Sequence, residues 1–487
     1  MNNVVWNRQK LADIISYLIK IIVSFVAITE MSFEMWEPYA VPKNRYFYLG
    51  VIWFLILIFI VRKISFRDVE VWITLLVGFA FKYFYFKANN LNQEYYGEIY
   101  SKVISYTFTM GILFVALMVN SIRQKKIIST IKENWILLCL YTLVAVVTAF
   151  VFYESIATLI IPMYALIFSK MDENESSRTL DCISVSMYLS FAFIISKCLT
   201  YFSDVYEAGR YMGGFCSVEN IGMFCGCAVI SCIHFFIKWL HASNRKWYLL
   251  VALIPLVLFP CYMVSKTDSR SALAGIMVAA VAAIAFVRKE KNVRLTVFRI
   301  SLSVFICIFF AISLFAAAKY MTKGLEQGKF TSEELGYTLT HIQVLGDERY
   351  RSGYFGEDSI LNAINICSSN RLLIYVEALK QIEWEGHEFR IEPPYNYTTP
   401  HNFFIMRLIN MGIVPGAMLC LWIVFLTIKE CILCARGIKS AVFPLLWTTY
   451  SIAVLSFTIT KWNSLLPFLM FFLSIPIFMK DRVKEEI

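Results

Sequence analysis

The chain has 487 residues, of which 59% are hydrophobic and 16% charged, with a mean hydropathy of +0.62 and a net charge of +10. This composition excludes a soluble globular protein, because a water-facing surface needs more charged side chains. Continuous apolar runs of about 17–25 residues recur along the sequence, long enough to cross a hydrocarbon core. Runs without strict alternation indicate helices and not a barrel. We therefore predict an all-α polytopic membrane protein.

Hydropathy predicts about 14 transmembrane helices, the first of which carries no cleavage pattern and is expected to remain as an anchor. In chain order they cover residues 12–29, 47–61, 70–86, 103–119, 135–152, 155–169, 182–203, 219–239, 247–265, 270–287, 296–317, 402–427, 440–460 and 463–479.

The positive charge follows the membrane topology. If the N-terminus is cytoplasmic, the cytoplasmic segments include "RKISFR", "SIRQKKIISTIK" and "RKEKNVR", and they hold most of the Lys and Arg residues between helices. This is the positive-inside pattern, which also makes the C-terminus cytoplasmic. It explains the charge without nucleic acid, so we predict no nucleic-acid partner.

The sequence predicts three regions. Residues 1–317 hold helices 1–11, residues 318–400 form one large extracytoplasmic loop, and residues 401–487 hold helices 12–14 and the C-terminus. Within the loop, "RLLIYVEALKQI" (371–382) has apolar residues at helical spacing, which predicts an amphipathic helix. Such a helix could lie on the membrane, cap a cavity or only pack the loop.

Two predicted outer segments carry arginines beside membrane helices. In "GRYMGGFCSVENIGMF" (209–224), Arg210 precedes two glycines that permit tight turns and close backbone approach. In "SKTDSRSALAGIMVAAV" (265–281), Arg270 begins a helix, whose free N–H groups suit an anion. The alternatives are a flexible loop for Arg210, and lipid snorkelling or pairing with Asp268 for Arg270.

His401 is the outer histidine fixed at a helix start, in "TTPHNFF" (398–404). The positive end of a helix disfavours the imidazolium form, so we expect a neutral ring that can accept a proton. An ordinary interfacial histidine is the alternative. Arginines suit phosphate or pyrophosphate. No metal-ligand cluster or carboxylate pair is obvious in the outer segments, which argues against a hydrolase of the two-carboxylate type. No nucleotide fingerprint is found, and we expect no cofactor.

Four segments together resemble the superfamily of O-antigen ligases and Wzy-type polysaccharide polymerases, over about residues 205–425. "GRYMGGF…EN" is similar to its R-x-x-G-x-F-x-x-x-N segment, and "SKTDSRSALAGI" to its S-R-(small)-A segment. "NRLLIYVEALKQI" resembles its loop arginine before an amphipathic helix, with Tyr375 where an aromatic is usual. "HNFFIMRLINMGIVPGAMLCL" resembles its H-N-x-(aromatic) return to the membrane. Glu219 departs from the proline that is more usual there.

The resemblance implies a glycosyltransferase of type C-like architecture in the bacterial cytoplasmic (inner) membrane, with its active site extracytoplasmic. Donor and acceptor would be oligosaccharides linked to undecaprenyl pyrophosphate. By motif position, His401 would activate the acceptor hydroxyl for an inverting, metal-independent transfer. The substrate-binding residues implied by the motifs are Arg210, Arg270, Arg371, Asn220 and Asn402.

A repeat-unit polymerase is the interpretation that the long loop and the helix count favour. Membrane lipids, a chain-length regulator and a flippase are the further partners that such an enzyme could have. An O-antigen ligase, which transfers the glycan to another acceptor, and a polysaccharide flippase or transporter are the alternatives. Transporters often carry repeated halves around a mid-membrane site, and no matching halves are found here.

Overall fold

The structure is a computed structural model. It describes residues 2–36, 45–89, 93–123, 135, 139, 143, 173–203, 205–207, 210–215, 217–242, 246–267, 269–287, 371–390 and 400–457. The predicted helices 155–169, 296–317 and 463–479, nearly all of 135–152, and the loop residues 318–370 lie outside this part of the chain.

The described residues are mostly helical, which confirms the all-α prediction. The helices are α1 (Asn2–Trp36), α2 (Arg45–Val61), α3 (Val69–Ala88), α4 (Gln93–Arg123), α5 (Glu173–Tyr201), α6 (Val218–His241), α7 (Trp247–Lys266), α8 (Arg270–Phe286), α9 (Arg371–Lys380), α10 (Phe403–Met411), α11 (Ile413–Ala435) and α12 (Val442–Leu455). A 3-10 turn, Lys439–Ala441, precedes α12, and two short strands, β1 (Tyr206–Glu207) and β2 (Arg210–Tyr211), pair antiparallel.

Seven of these helices are long and apolar enough to cross a membrane, and two shorter apolar helices, Tyr48–Val61 and Ser271–Phe286, accompany them. The chain is therefore a multi-pass membrane protein. One predicted span differs from the structure: residues 402–427 form two helices, because Gly412 has φ +81° and ψ 167° and interrupts the helical backbone between α10 and α11.

Helix α12 is the centre of the described bundle. All of its residues except Ile452 are buried, and it packs against α6, α8 and α11. The hydroxyl of Tyr450 donates to the carbonyl oxygen of Met223 in α6 at 2.7 Å. A Cβ at Gly226 would overlap that hydroxyl, and one at Gly275 in α8 would lie 2.7 Å from the Tyr450 ring. Small residues therefore let three helices meet around one tyrosine, as is usual in membranes.

Helices α6 and α12 run antiparallel. Gly226 faces Tyr450, while His234, two turns further along α6, has its ring 5.1 Å from that of Phe443 at the start of α12. The start of α6 and the end of α12 therefore lie at the same end of the bundle. Helix α8 begins there too, because Ser269, just before it, touches Gly222 in the first turns of α6.

Candidate functional site

Arg210 is held against the end of α7 by a hairpin. In the register of β1 and β2, Glu207 lies opposite Arg210. The Nε of Arg210 donates to the carbonyl oxygen of Thr267 at 3.2 Å. Thr267 follows α7 directly and is fully buried. The hairpin therefore brings Arg210 to the junction between α7 and α8. Thr267, whose carbonyl oxygen accepts the bond, lies three residues before Arg270.

A second cation lies at this junction. The Nζ of Lys266 stands 4.5 Å from the centre of the Tyr211 ring, and Tyr211 is fully buried beside Arg210. A cation over an aromatic face is held by the ring quadrupole. The junction therefore carries Lys266 and Arg210 on adjoining elements, with the backbone of Arg270 as the first residue of α8.

Asn220 lies in the first turn of α6. Its backbone N–H donates to the Oγ of Ser217, which caps the helix, at 3.2 Å. Its side-chain oxygen is buried and has no hydrogen-bond partner among the described residues. A buried carbonyl oxygen without a donor is costly, since it has lost its water. Asn220 thus offers an acceptor at the end of the bundle where Arg210 lies.

His401 is held by hydrogen bonds to its backbone and to its neighbour. It has φ +47°, the left-handed region that non-glycine residues rarely adopt. The hydroxyl of Tyr375 in α9 lies 3.3 Å from the His401 carbonyl oxygen and 3.1 Å from that of Ser456. Asn402 accepts from the N–H of Ile405 at 3.1 Å and donates to the Ser456 carbonyl oxygen at 3.0 Å.

These contacts show which groups the Asn402 side chain binds. Asn402, predicted to bind substrate, uses its side-chain oxygen to cap α10 and its nitrogen to bind Ser456, so both observed contacts are structural. Arg371 is the first residue of α9, one turn before Tyr375, and the structure describes its backbone only. The residues that sequence reasoning missed include Ser456, whose carbonyl oxygen joins α9 and the His401 turn to α12.

Arg407 is a further residue missed by the sequence analysis. It lies in α10 with its guanidinium 4.8 Å from the centre of the Phe403 ring. An arginine inside a short apolar helix of a membrane protein is a candidate for a functional role. The signal for Arg407 in the sequence was that it is the single charged residue in the apolar segment "FFIMRLINM".

The segment 381–390 covers the break between α10 and α11. The N–H of Ile413 donates to the carbonyl oxygen of Glu383 at 2.9 Å, and that of His387 to the carbonyl oxygen of Ile409 at 3.0 Å. A small apolar cluster of Ile374, Ala378, Phe389 and Ile409 joins this segment to α9 and α10. Together they form one packed unit next to His401.

All four segments singled out from the sequence meet at one end of the bundle. Arg210, Asn220 and the start of α8 lie at the junction with α7, and the His401 turn and α9 bind the end of α12 at Ser456. The arrangement has the guanidinium group of Arg210 and the imidazole of His401 at the same end. In the part of the chain that the structure describes, no group of three or more His, Cys, Asp or Glu side chains is arranged to hold a metal ion.

The opposite end holds a different polar cluster. Asp181 in α5 pairs with the Nε2 of His234 at 2.9 Å and with the Nζ of Lys238. His234 is 3% exposed, and its Nδ1 has no partner among the described residues. The position of His234 far along α6 separates it from His401, which lies at the other end of the bundle.

Comparison with known proteins found no match: no family model, no curated protein and no solved structure matches this chain.

Proposed function

We propose that the protein is a polysaccharide repeat-unit polymerase of the bacterial cytoplasmic membrane, working on the extracytoplasmic face. It transfers a growing glycan from undecaprenyl pyrophosphate to a hydroxyl at the non-reducing end of another lipid-linked repeat unit. The observation that carries the proposal is the meeting of the Arg210, Arg270, Arg371 and His401 segments at one end of the bundle.

The proposed reaction needs two kinds of group. The imidazole of His401 takes the proton of the acceptor hydroxyl while its oxygen forms the new bond to the anomeric carbon. The bond from that carbon to the pyrophosphate oxygen breaks, and the lipid pyrophosphate leaves with the electron pair. Guanidinium groups stabilise the charge that develops on this leaving group, the largest usual contribution to such catalysis. A positioned base typically contributes about 10²–10⁴-fold in rate.

The test uses the producing bacterium as the source of substrate. A strain without this gene should accumulate single lipid-linked repeat units, which are extracted and given to the purified protein in detergent. We expect a ladder of lipid-linked chains of increasing length, resolved by gel electrophoresis. His401→Ala protein, purified in the same way, is the control and should make none.

Two other outcomes would contradict the proposal. If the deletion strain still makes long lipid-linked polymer and lacks only its transfer to the final acceptor, the protein is a ligase. If the purified protein makes no ladder and the deletion strain holds its repeat units on the cytoplasmic face, the protein is a flippase.

A further inference from the structure

A carboxyl group is buried at the contact between α11 and α12. Glu430 in α11 is 0% exposed, and its Oε2 lies 2.6 Å from the Oγ1 of Thr448 in α12. Its Oε1 is also buried and has no hydrogen-bond partner among the described residues. Charged side chains are rare at membrane depth and usually pair with another charge. The ionisation state of Glu430 therefore depends on the charges around it.

The neighbouring elements bring no counter-ion to Glu430. Helix α11 packs against α8, α10, α12 and the 3-10 turn before α12. The charged or titratable side chains on those elements are Arg270, Arg407, Lys439 and Tyr450, and α11 itself adds Cys420, Lys429, Cys431 and Cys434. Among the described residues, none of these forms an ion pair with Glu430. A carboxylate here would therefore be a buried charge without a counter-ion.

A neutral acid at this position avoids the buried charge. Taking a carboxylate out of water costs far more than one bond from a neutral hydroxyl returns. The neutral acid also accounts for the contacts of Thr448, whose hydroxyl has a single hydrogen. Its Oγ1 lies 2.6 Å from Glu430 and 2.9 Å from the carbonyl oxygen of Pro444. When the Glu430 acid donates to Oγ1, the threonine hydrogen remains for Pro444, and both contacts are hydrogen bonds.

The Glu430 contact lies on the same helices that hold the His401 turn. Helix α11 follows α10 directly at Gly412, and Asn402 at the start of α10 donates to the carbonyl oxygen of Ser456 at the end of α12. Thr448 lies eight residues before Ser456, which is about 12 Å along a helix. One bond to Thr448 and one to Ser456 therefore hold α11 and α10 against α12 at two separate levels.

We propose that Glu430 is a neutral, proton-carrying acid that donates to Thr448, and that this bond positions α10 and the His401 turn against α12. Glu430 is then a positioning residue, which acts through Thr448 and does not touch substrate. The proposal rests on the proposed polymerase function for its effect on the rate. The proton and the position of α10 are measured without any substrate.

Infrared spectroscopy tests for the proton. Purified wild type and Glu430→Gln are compared in the same detergent at neutral pH. Glutamine keeps the length and a neutral donor but lacks the carboxyl group. The spectrum of wild type minus that of the variant should contain the C=O stretch of a protonated carboxyl, which shifts to lower frequency in heavy water. Carboxylate bands in its place would overturn the proposal.

Hydrogen exchange tests the position of α10. Thr448→Val removes the acceptor of the proposed bond. Thr449→Val is its matched control, because Thr449 is also buried and bonds the Leu445 carbonyl oxygen at 2.6 Å, but makes no hydrogen bond to Glu430. The amides of 401–411 should exchange about tenfold faster in Thr448→Val, the effect of one lost buried hydrogen bond. Thr449→Val and Glu430→Gln should exchange as wild type does.

Equal exchange of 401–411 in Thr448→Val and Thr449→Val would overturn the positioning role, and so would exchange in Glu430→Gln as fast as in Thr448→Val. In the ladder assay, Thr448→Val should be the slow variant, with Thr449→Val and Glu430→Gln at the wild-type rate. If no form of the protein makes a ladder, the polymerase proposal fails, whereas the infrared and exchange measurements still decide this one.

Discussion

The backbone at His401 has a conformation that costs free energy, about 1–2 kcal/mol for a residue with a side chain. The Tyr375 hydroxyl, 3.3 Å from its carbonyl oxygen, and the Asn402 cap hold the turn. Strained residues of this kind cluster at functional sites.

Substitutions at His401 can separate chemistry from this backbone strain. Glycine adopts positive φ freely, and asparagine tolerates it better than most residues. We expect His401→Gly and His401→Asn to accumulate in the membrane at wild-type levels and to lose at least about 100-fold of the polymerisation rate. Polymer ladders normalised to protein amount provide the measurement. Wild-type ladders from either variant would remove His401 as the base.

A different histidine, His387, bonds to backbone carbonyl oxygens through both ring nitrogens. Its Nε2 lies 2.6 Å from the Gln381 carbonyl oxygen and its Nδ1 3.1 Å from that of Glu388. Carbonyl oxygens only accept, so both ring nitrogens carry hydrogen when both bonds are made. These bonds, first that to Glu388 and then that to Gln381, raise the pKa of His387 above its ordinary value.

A pH dependence of segment 381–390 follows. Because the pKa of His387 is raised on folding, its stabilisation is fully present below the ordinary value of about 6.5 and is lost as pH rises through the folded value. We expect the amides of 381–390 to exchange faster above that pH, after correction for intrinsic exchange. The side chain is partly exposed, so the change should be small. In His387→Gln the corrected rates should not vary with pH.

At the scale of elements, the break at Gly412 was the feature that the sequence could not predict. Met411 and Ile413 on either side are apolar, and Arg407 is the single charged residue from 402 to 427, so hydropathy predicts one span. The break depends on segment 381–390, because the Trp384 carbonyl oxygen occupies the place of a Cβ at Gly412. That contact joins residues distant in sequence. By contrast, α7 and α8 begin where the sequence predicted and end within one residue of it.

Two glycines with nearly the same φ give a matched comparison. Gly412 has φ +81° and Gly437 has φ +83°, but a Cβ at Gly437 would meet no atom within 4 Å. We expect Gly437→Ala to cost about 1 kcal/mol through backbone strain alone. Gly412→Ala adds overlap with Trp384 and should cost about 3 kcal/mol or more.

Thermal unfolding in detergent would measure this difference, and a larger fall in midpoint for Gly412→Ala is expected. Equal falls would show that segment 381–390 does not pack against the break in solution.

At the scale of the whole molecule, the sequence predicted a polytopic helical protein but not which helix is central. Helix α12 is apolar like its neighbours, and lipid-facing and core helices have similar hydropathy because lipid tails are as apolar as leucine. The central position follows from the packing of Tyr450 against glycines of the neighbouring helices. This contact is visible only in the three-dimensional structure. The candidate arginines and His401 were found because they lie at the ends of predicted helices in predicted outer segments and match the motifs of the family that the chain resembles.

The packing around Tyr450 can be tested by a double-mutant cycle. Gly226→Ala would force a methyl group against the Tyr450 hydroxyl and should cost about 1–3 kcal/mol. Tyr450→Phe loses the bond to Met223 and should cost about 1 kcal/mol. Because a phenylalanine ring lacks the colliding oxygen, the double variant should lose less than the sum, by about 0.5–3 kcal/mol.

Unfolding midpoints of the four proteins supply the cycle, and Gly111→Ala, which meets open space inside a helix, is the control expected to be at least as stable as wild type. If the two losses of stability simply add in the double variant, Gly226 and Tyr450 do not interact.

The central position of α12 has a consequence for how the protein is made. Helices α6 and α8 have been synthesised by residue 286, but α12, which packs against both of them, is complete only at residue 455. At about 5–20 residues per second, the interval is about 10–30 seconds. During that time the glycine-containing surfaces of α6 and α8 lack Tyr450 as a packing partner. The space that α12 will occupy therefore has to remain unfilled until α12 is made. Any other helix that packed there first would compete with α12 for the same contacts.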